Sequence, residues 1–104
     1  MTLNNRSKQY LEKRGCIVDK TEHWNAFAKK RNDLFGVFDL LVLGTYELKG
    51  ITGVQVTSKS NMAARIKKIT DSEKANRWLE CGGKITVHGW YKEKGRWQVK
   101  EVSL

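Results

Sequence analysis

The spacing of apolar and polar positions changes several times along the chain, and each change marks an element. Arg6 to Arg14 reads as a short helix, with Tyr10 and Leu11 turned inward and Lys8, Glu12 and Lys13 turned to water. Gly15 follows where a helix C′ residue belongs. Cys16-Ile17-Val18 then opens a strand running toward Glu22-His23-Trp24, and the polar stretch from Asn25 to Asn32 reads as a loop or irregular hairpin. Leu34 to Leu43 is apolar almost throughout, the pattern of a strand covered on both faces. After a turn over residues 44–50, Ile51 to Ser58 reads as a further strand. In it Val54 and Val56 point one way and Gln55 and Thr57 the other.

Helical spacing returns at Met62, Ile66 and Ile69, which share one face, with Arg65 and Lys68 off it. Thr70-Asp71-Ser72-Glu73 fits a capping box opening a second helix through Cys81, with Ala75, Trp78 and Leu79 inward. Lys84 to Lys92 and Arg96 to Leu104 read as two strands joined by a turn in which Gly95 suits a positive φ. The order predicts an α/β fold, a mixed central sheet flanked by helices, as one domain over residues 1–104. The crossover after the Ile51–Ser58 strand should bring the next strand in parallel.

Composition narrows the partner. The 20 Lys and Arg outweigh the 11 Asp and Glu, for a net charge of +9. Such an excess points to a polyanion, with nucleic acid ahead of an anionic membrane surface. No apolar run approaches the roughly 20 residues a spanning helix needs. Met1 to Arg6 lacks the hydrophobic stretch of a secretory signal. Cys16 and Cys81 lie far apart, without metal or redox spacing, and read as reduced thiols. A cytoplasmic protein with no membrane partner is the expectation.

One residue breaks the apolar pattern. Asp39 lies inside the Leu34–Leu43 run, where an ionised carboxylate costs several kcal/mol unless something compensates it. Compensation could be an arginine such as Arg31, or a metal. Metal ligation is favoured by the next strand, which brings the side-chain oxygen of Gln55 and the main-chain carbonyl of Val56 close by. Oxygen donors of this kind suit Mg²⁺ or Mn²⁺, which can activate water against a phosphodiester.

The pairing of Gly36-x-x-Asp39-Leu40-Leu41-Val42-Leu43 with Gly53-Val54-Gln55-Val56-Thr57-Ser58-Lys59 resembles the core of PD-(D/E)xK nucleases. Small phage-type members, including Holliday junction resolvase-like endonucleases, are similar in carrying an R-x-D-L-F-G-x-x-D strand and a following Q-V-T-S; here these are Arg31 to Asp39 and Gln55 to Ser58. The resemblance implies a restriction-endonuclease-like αβββαβ core and metal-dependent endonuclease activity on DNA, branched DNA such as Holliday junctions included. It also implies a homodimer, since junction resolvases cut two strands symmetrically. Asp39 and Gln55 would take the family's acidic positions, and Glu22, ahead of Glu12, its additional acid. Thr57 stands where the family places lysine, so Lys59, or Lys67 or Lys68 from the following helix, would supply the cation beside the scissile phosphate.

The same region holds the expected phosphate track. Lys59, Arg65, Lys67 and Lys68 fall close together with no acid among them, beside the hydrogen-bonding Ser58, Ser60 and Asn61. Lys29, Lys30 and Arg31 would form a second wall. Trp90, Tyr91 and Trp97 alternate with Lys92, Lys94 and Arg96, a pattern suited to stacking on bases or to a protein interface. His23 and His88 have no spaced partners for a zinc site and read as structural or phosphate-contacting. The competing reading is a catalytically inactive nucleic-acid-binding module with the same fold; a third is a subunit that binds protein through its Trp-rich end.

Overall fold

The computed structural model describes residues 1–21, 23–44 and 49–104, apart from the side chains of His23 and Arg31. Helix α1 (Leu3–Lys13) leads into β1 (Ile17–Lys20), and a separate hairpin follows, β2 (His23–Asn25) with β3 (Lys30–Asn32). Next come β4 (Leu40–Leu43) and β5 (Ile51–Ser58), a short 3₁₀ turn (Lys59–Asn61), α2 (Met62–Thr70) and α3 (Glu73–Glu80). The chain ends in β6 (Lys84–Glu93) and β7 (Arg96–Ser103). The main sheet has the order β1-β4-β5-β6-β7. Its β5–β6 pair is parallel and the others antiparallel. The expected mixed sheet with flanking helices is therefore present, with the parallel crossover where it was expected. Among the described residues no helix is long and apolar enough to cross a membrane.

Strand β5 lies at the centre, and its alternation builds both cores. Val54 and Val56 join Leu40, Val42 and Trp90 under Leu11 of α1. On the other face, Ile85 and Val87 of β6 pack with Val37, Phe38, Met62, Ile69 and Ala75 against α2 and α3. Gly53 is required by close approach: a Cβ there would lie 2.5 Å from Phe38 Cδ1. The Phe38 ring is itself fully buried, 4.9 Å from the Trp78 ring.

Several boundaries differ from the expectation. Helix α1 starts at Leu3, because Thr2 Oγ1 accepts from the Asn5 amide at 3.1 Å and caps it. The single strand expected over residues 16–24 is two short elements, β1 and β2, and the expected loop after it contributes β3. Leu34 to Leu43 is not one strand. Only its second half is, while Leu34 pairs back onto Phe38. The Val37 amide bonds the Leu34 carbonyl at 3.1 Å, and Phe35 and Gly36 both have positive φ. That is a type I′ turn. Its apolar residues serve the α2–α3 core rather than a doubly covered strand. Helix α3 is capped by Ser72, whose Oγ accepts from the Ala75 amide, whereas Thr70 ends α2. Leu79, expected inside, is exposed. Gly95 has the expected positive φ, shared with Lys94.

A buried polar network ties α1 to the sheet. Ser7 and His88 have no exposed surface. The Trp90 indole donates to Ser7 Oγ at 2.7 Å, and Ser7 Oγ lies 2.9 Å from His88 Nδ1. The indole can only donate, so Ser7 Oγ accepts from it and keeps its own hydrogen free to donate to Nδ1 of an imidazole protonated on Nε2. Nε2 is 3.2 Å from Glu101 Oε1, at an ion-pair distance but without hydrogen-bond alignment. Glu101 also meets Arg14, and the Tyr10 ring stands edge-on to the imidazole. His88 is thus structural; with no exposed surface it contacts no phosphate.

Burial lowers the His88 pKa below its ordinary value of 6.5, with Arg14 acting in the same direction and Glu101 opposing. Folding therefore favours the neutral ring, and the unfolded chain takes up the proton first. Stability from this group is flat above the unfolded value and falls as the pH drops below it, until the folded ring itself protonates. Thermal unfolding should show a lower midpoint at about pH 5.5 than at about pH 7.5, and His88→Gln should flatten that difference. Gly53→Ala should destabilise by about 1–3 kcal/mol in denaturant titration, through collision with Phe38.

Candidate functional site

Asp39 precedes β4, and main-chain bonds hold it from both sides. Its amide donates to the Val54 carbonyl at 2.8 Å, and its carbonyl accepts from the Thr21 amide at 3.0 Å. The Thr21 hydroxyl donates to the neighbouring Phe38 carbonyl at 2.6 Å. So placed, Asp39 Oδ2 accepts from the Val56 amide at 2.8 Å and from Gln55 Nε2 at 3.1 Å. Two N–H donors on one oxygen allow a carboxylate to lie in a largely apolar segment with only 6% of its surface exposed. Asp39 and Gln55, expected on adjacent strands, are therefore in direct contact, with Asp39 just before β4 rather than within it.

Gln55 and Thr57 lie on the face of β5 that looks toward α2, and both are buried. In an extended strand the N–H and C=O of one residue point to the same edge. The Val56 amide reaches Asp39, so its carbonyl is aimed toward the same side. Asp39, Gln55 and Val56 thus present a carboxylate, an amide and a main-chain oxygen at one place. Among the described residues no three His, Cys, Asp or Glu side chains converge anywhere. A donor set with one carboxylate suits Mg²⁺, which keeps several of its waters, better than a metal needing an all-protein cage.

Of the three lysines proposed for the missing motif position, Lys68 approaches this site. It lines a cavity of about 60 Å³ together with Gln55, Ile69 and the Phe35-Gly36-Val37 turn. Outside that turn lies an open depression of about 510 Å³ with Lys30, Lys68 and Lys74 on its walls, and Asp33 among them. Lys67 is exposed and lines neither space. Lys59 begins the 3₁₀ turn, since β5 stops at Ser58, and its Nζ stands 4.3 Å from the centre of the Tyr91 ring. It faces a different groove, lined by Ser58 and Ser60 as well.

The other expected phosphate contacts divide in the same way. Arg65 is half-buried and Asn61 exposed, and among the described residues neither Arg65, Lys67 nor Lys68 forms an ion pair. Lys29 has a positive φ in the turn between β2 and β3, and Lys30 reaches the depression. The Arg31 backbone belongs to β3, while its side chain and the whole of Glu22 lie outside the described residues. Glu12 is paired with Lys8 at 3.0 Å on exposed α1. Sequence reasoning missed Phe35 and Lys74 at the rim. Lys74 looked like any lysine on a solvated helix face, whereas the Phe35-Gly36 pair inside an apolar run was a readable turn signal.

Asp39→Ala should cost about 1–3 kcal/mol in denaturant unfolding, because it leaves the buried Val56 amide without its acceptor. Asp39→Asn, which keeps an oxygen for that amide, should cost less. No family model, curated protein or solved structure matches this chain.

Proposed function

We propose that this protein is a metal-dependent endonuclease hydrolysing phosphodiester bonds in DNA. The observation that carries the reading is the direct contact of Gln55 in β5 with Asp39, immediately before the neighbouring antiparallel strand β4, with Lys68 lining the same cavity as Gln55. The strand order supports it: a helix, antiparallel strands β1, β4 and β5, then helices and a parallel β6 are what a restriction-endonuclease-like αβββαβ core requires. In this reading Asp39 Oδ, Gln55 Oε1 and the Val56 carbonyl hold Mg²⁺ or Mn²⁺. The ion, when bound, polarises the phosphoryl oxygen and acidifies an attacking water.

The remaining work falls to the chain itself. Lys68 supplies the ammonium that the family places at Thr57, orienting the water and offsetting charge on the phosphate. Lys30 and Lys74 hold neighbouring phosphates along the open depression. Because Asp39 and Gln55 are buried, the scissile phosphate would approach them past the Phe35–Gly36 turn, through the cavity that Gln55 lines. Two copies acting together would account for symmetric cutting of a branched substrate.

A second reading has its own observation. Thr57 is buried in the lysine position and Asp39 Oδ2 already accepts two hydrogen bonds, which suits a catalytically inactive DNA-binding module. Incubation with supercoiled, branched and single-stranded DNA in Mg²⁺ or Mn²⁺ separates the two. Cutting should fall about 100-fold in Asp39→Asn and by a similar factor in Lys68→Ala. Equal cutting by all three proteins would sink the nuclease reading, and salt-sensitive binding without cutting would establish the silent module.

A further inference from the structure

A second surface lies at the far end of the β5–β6 pair. There Leu3, Ser58, Lys59, Tyr91, Lys92 and Trp97 surround a groove of about 750 Å³, floored by Trp90. A second groove, of about 450 Å³, shares Trp90 and Trp97 with the first and adds Arg6 and Lys13. The two therefore form one track passing Trp97, which stands on edge strand β7 with 37% of its surface exposed.

The chemistry of this track is one-sided. No described residue lining it is acidic. Its cations rest on ring faces instead: Arg6 Cζ is 4.3 Å and Lys92 Nζ 5.1 Å from the Trp97 ring centre, and Lys59 Nζ is 4.3 Å from that of Tyr91. Among the described residues, none of these three cations has a carboxylate partner. The rings and charges are thus held together, ready for a ligand carrying flat apolar faces and anionic groups in alternation.

We propose that this track binds single-stranded DNA, bases stacking on Trp97 and Tyr91 as Arg6, Lys59 and Lys92 swing off the ring faces to hold the phosphates. Stacking of this kind needs unpaired bases, since a duplex keeps its ring faces inside. A concave track is also unlike the projecting apolar side chains that anchor a protein in an anionic bilayer. The choice of DNA over RNA rests on the nuclease reading; the stacking argument does not.

The test is fluorescence anisotropy of a labelled oligothymidylate against the full chain in EDTA, across a salt series. Trp97→Ala should weaken binding at least about fivefold with the salt slope unchanged, and Trp97→Phe should recover most of the loss. Lys92→Gln should instead lower the slope by roughly 0.7, the share of one phosphate contact on a single strand. Circular dichroism establishes that each variant is folded, and Lys92→Gln serves if Trp97→Ala is not. Unchanged affinity in Trp97→Ala together with an unchanged slope in Lys92→Gln would overturn the proposal. So would a duplex of equal length binding as tightly and with the same Trp97 dependence. Tighter binding of oligouridylate would overturn the choice of DNA, and Trp97-dependent binding to phosphatidylserine vesicles alone would reassign the track to membranes. EDTA keeps this outcome separate from turnover: a chain that never cuts can still pass, and one that cuts can still fail.

Discussion

The structure turns on the hydrogen bonds that an aspartate carboxylate accepts from the neighbouring strand. Ahead of the first residue of β4, Val56 would lack an acceptor across the sheet, and Asp39 Oδ2 takes that place while also receiving Gln55. The exchange lets the chain leave the sheet at Phe38 and fold over the Leu34–Val37 turn without orphaning a buried amide. It also sets a negative charge beside an amide and a carbonyl in a nearly closed space. One arrangement thereby stabilises the strand pair and assembles the oxygen donors of the candidate site, so structural and chemical demands on Asp39 cannot be separated by burial alone.

The two faces of the sheet carry different kinds of polar burial. On the α1 face, Ser7, His88 and Trp90 form a hydrogen-bonded chain that docks the helix, and the network's remaining charges, Arg14 and Glu101, meet at its outer edge. On the α2 face, Asp39, Gln55 and Thr57 sit beneath a turn with a lysine at the rim. Buried histidines and buried carboxylates both invite functional readings. Geometry distinguishes these two: His88 borders a cavity of about 100 Å³ walled by its own partners Arg14 and Glu101, while Asp39 bonds Gln55, which lines the cavity beneath the Phe35–Gly36 turn together with Lys68.

Charge is distributed in keeping with this division. The open depression near Gln55 gathers lysines from β3, α2 and α3, and the aromatic track gathers cations from α1, the 3₁₀ turn and β6. Lys59 links the argument for both. The sequence placed it two residues beyond Thr57 on what would have been the same face, but the end of β5 at Ser58 turns it onto Tyr91. A lysine expected beside the carboxylate thus lies in the aromatic groove, and Lys68 of α2 lines the cavity with Gln55.

Periodicity put the Leu34–Leu43 run at the centre of the sheet, where β5 lies instead. By itself it determined most of the element types, the placing of Val54 and Val56 opposite Gln55 and Thr57, and the adjacency of Asp39 to Gln55. These follow from local alternation and from the shortest connection between two apolar runs. It also located the clusters of unopposed positive charge, because lysines and arginines without nearby acids are visible in any order. What the tertiary structure decided is where those runs stop and what they meet. The Phe35–Gly36 turn and the Ser72 cap are closed by local hydrogen bonds that the apolar pattern masked, whereas the burial of His88 depends on Ser7, tens of residues away. Which lysine joins the site is of the same kind: a strand's last residue is set by the hydrogen bonds its neighbour can still offer, and no local pattern records that.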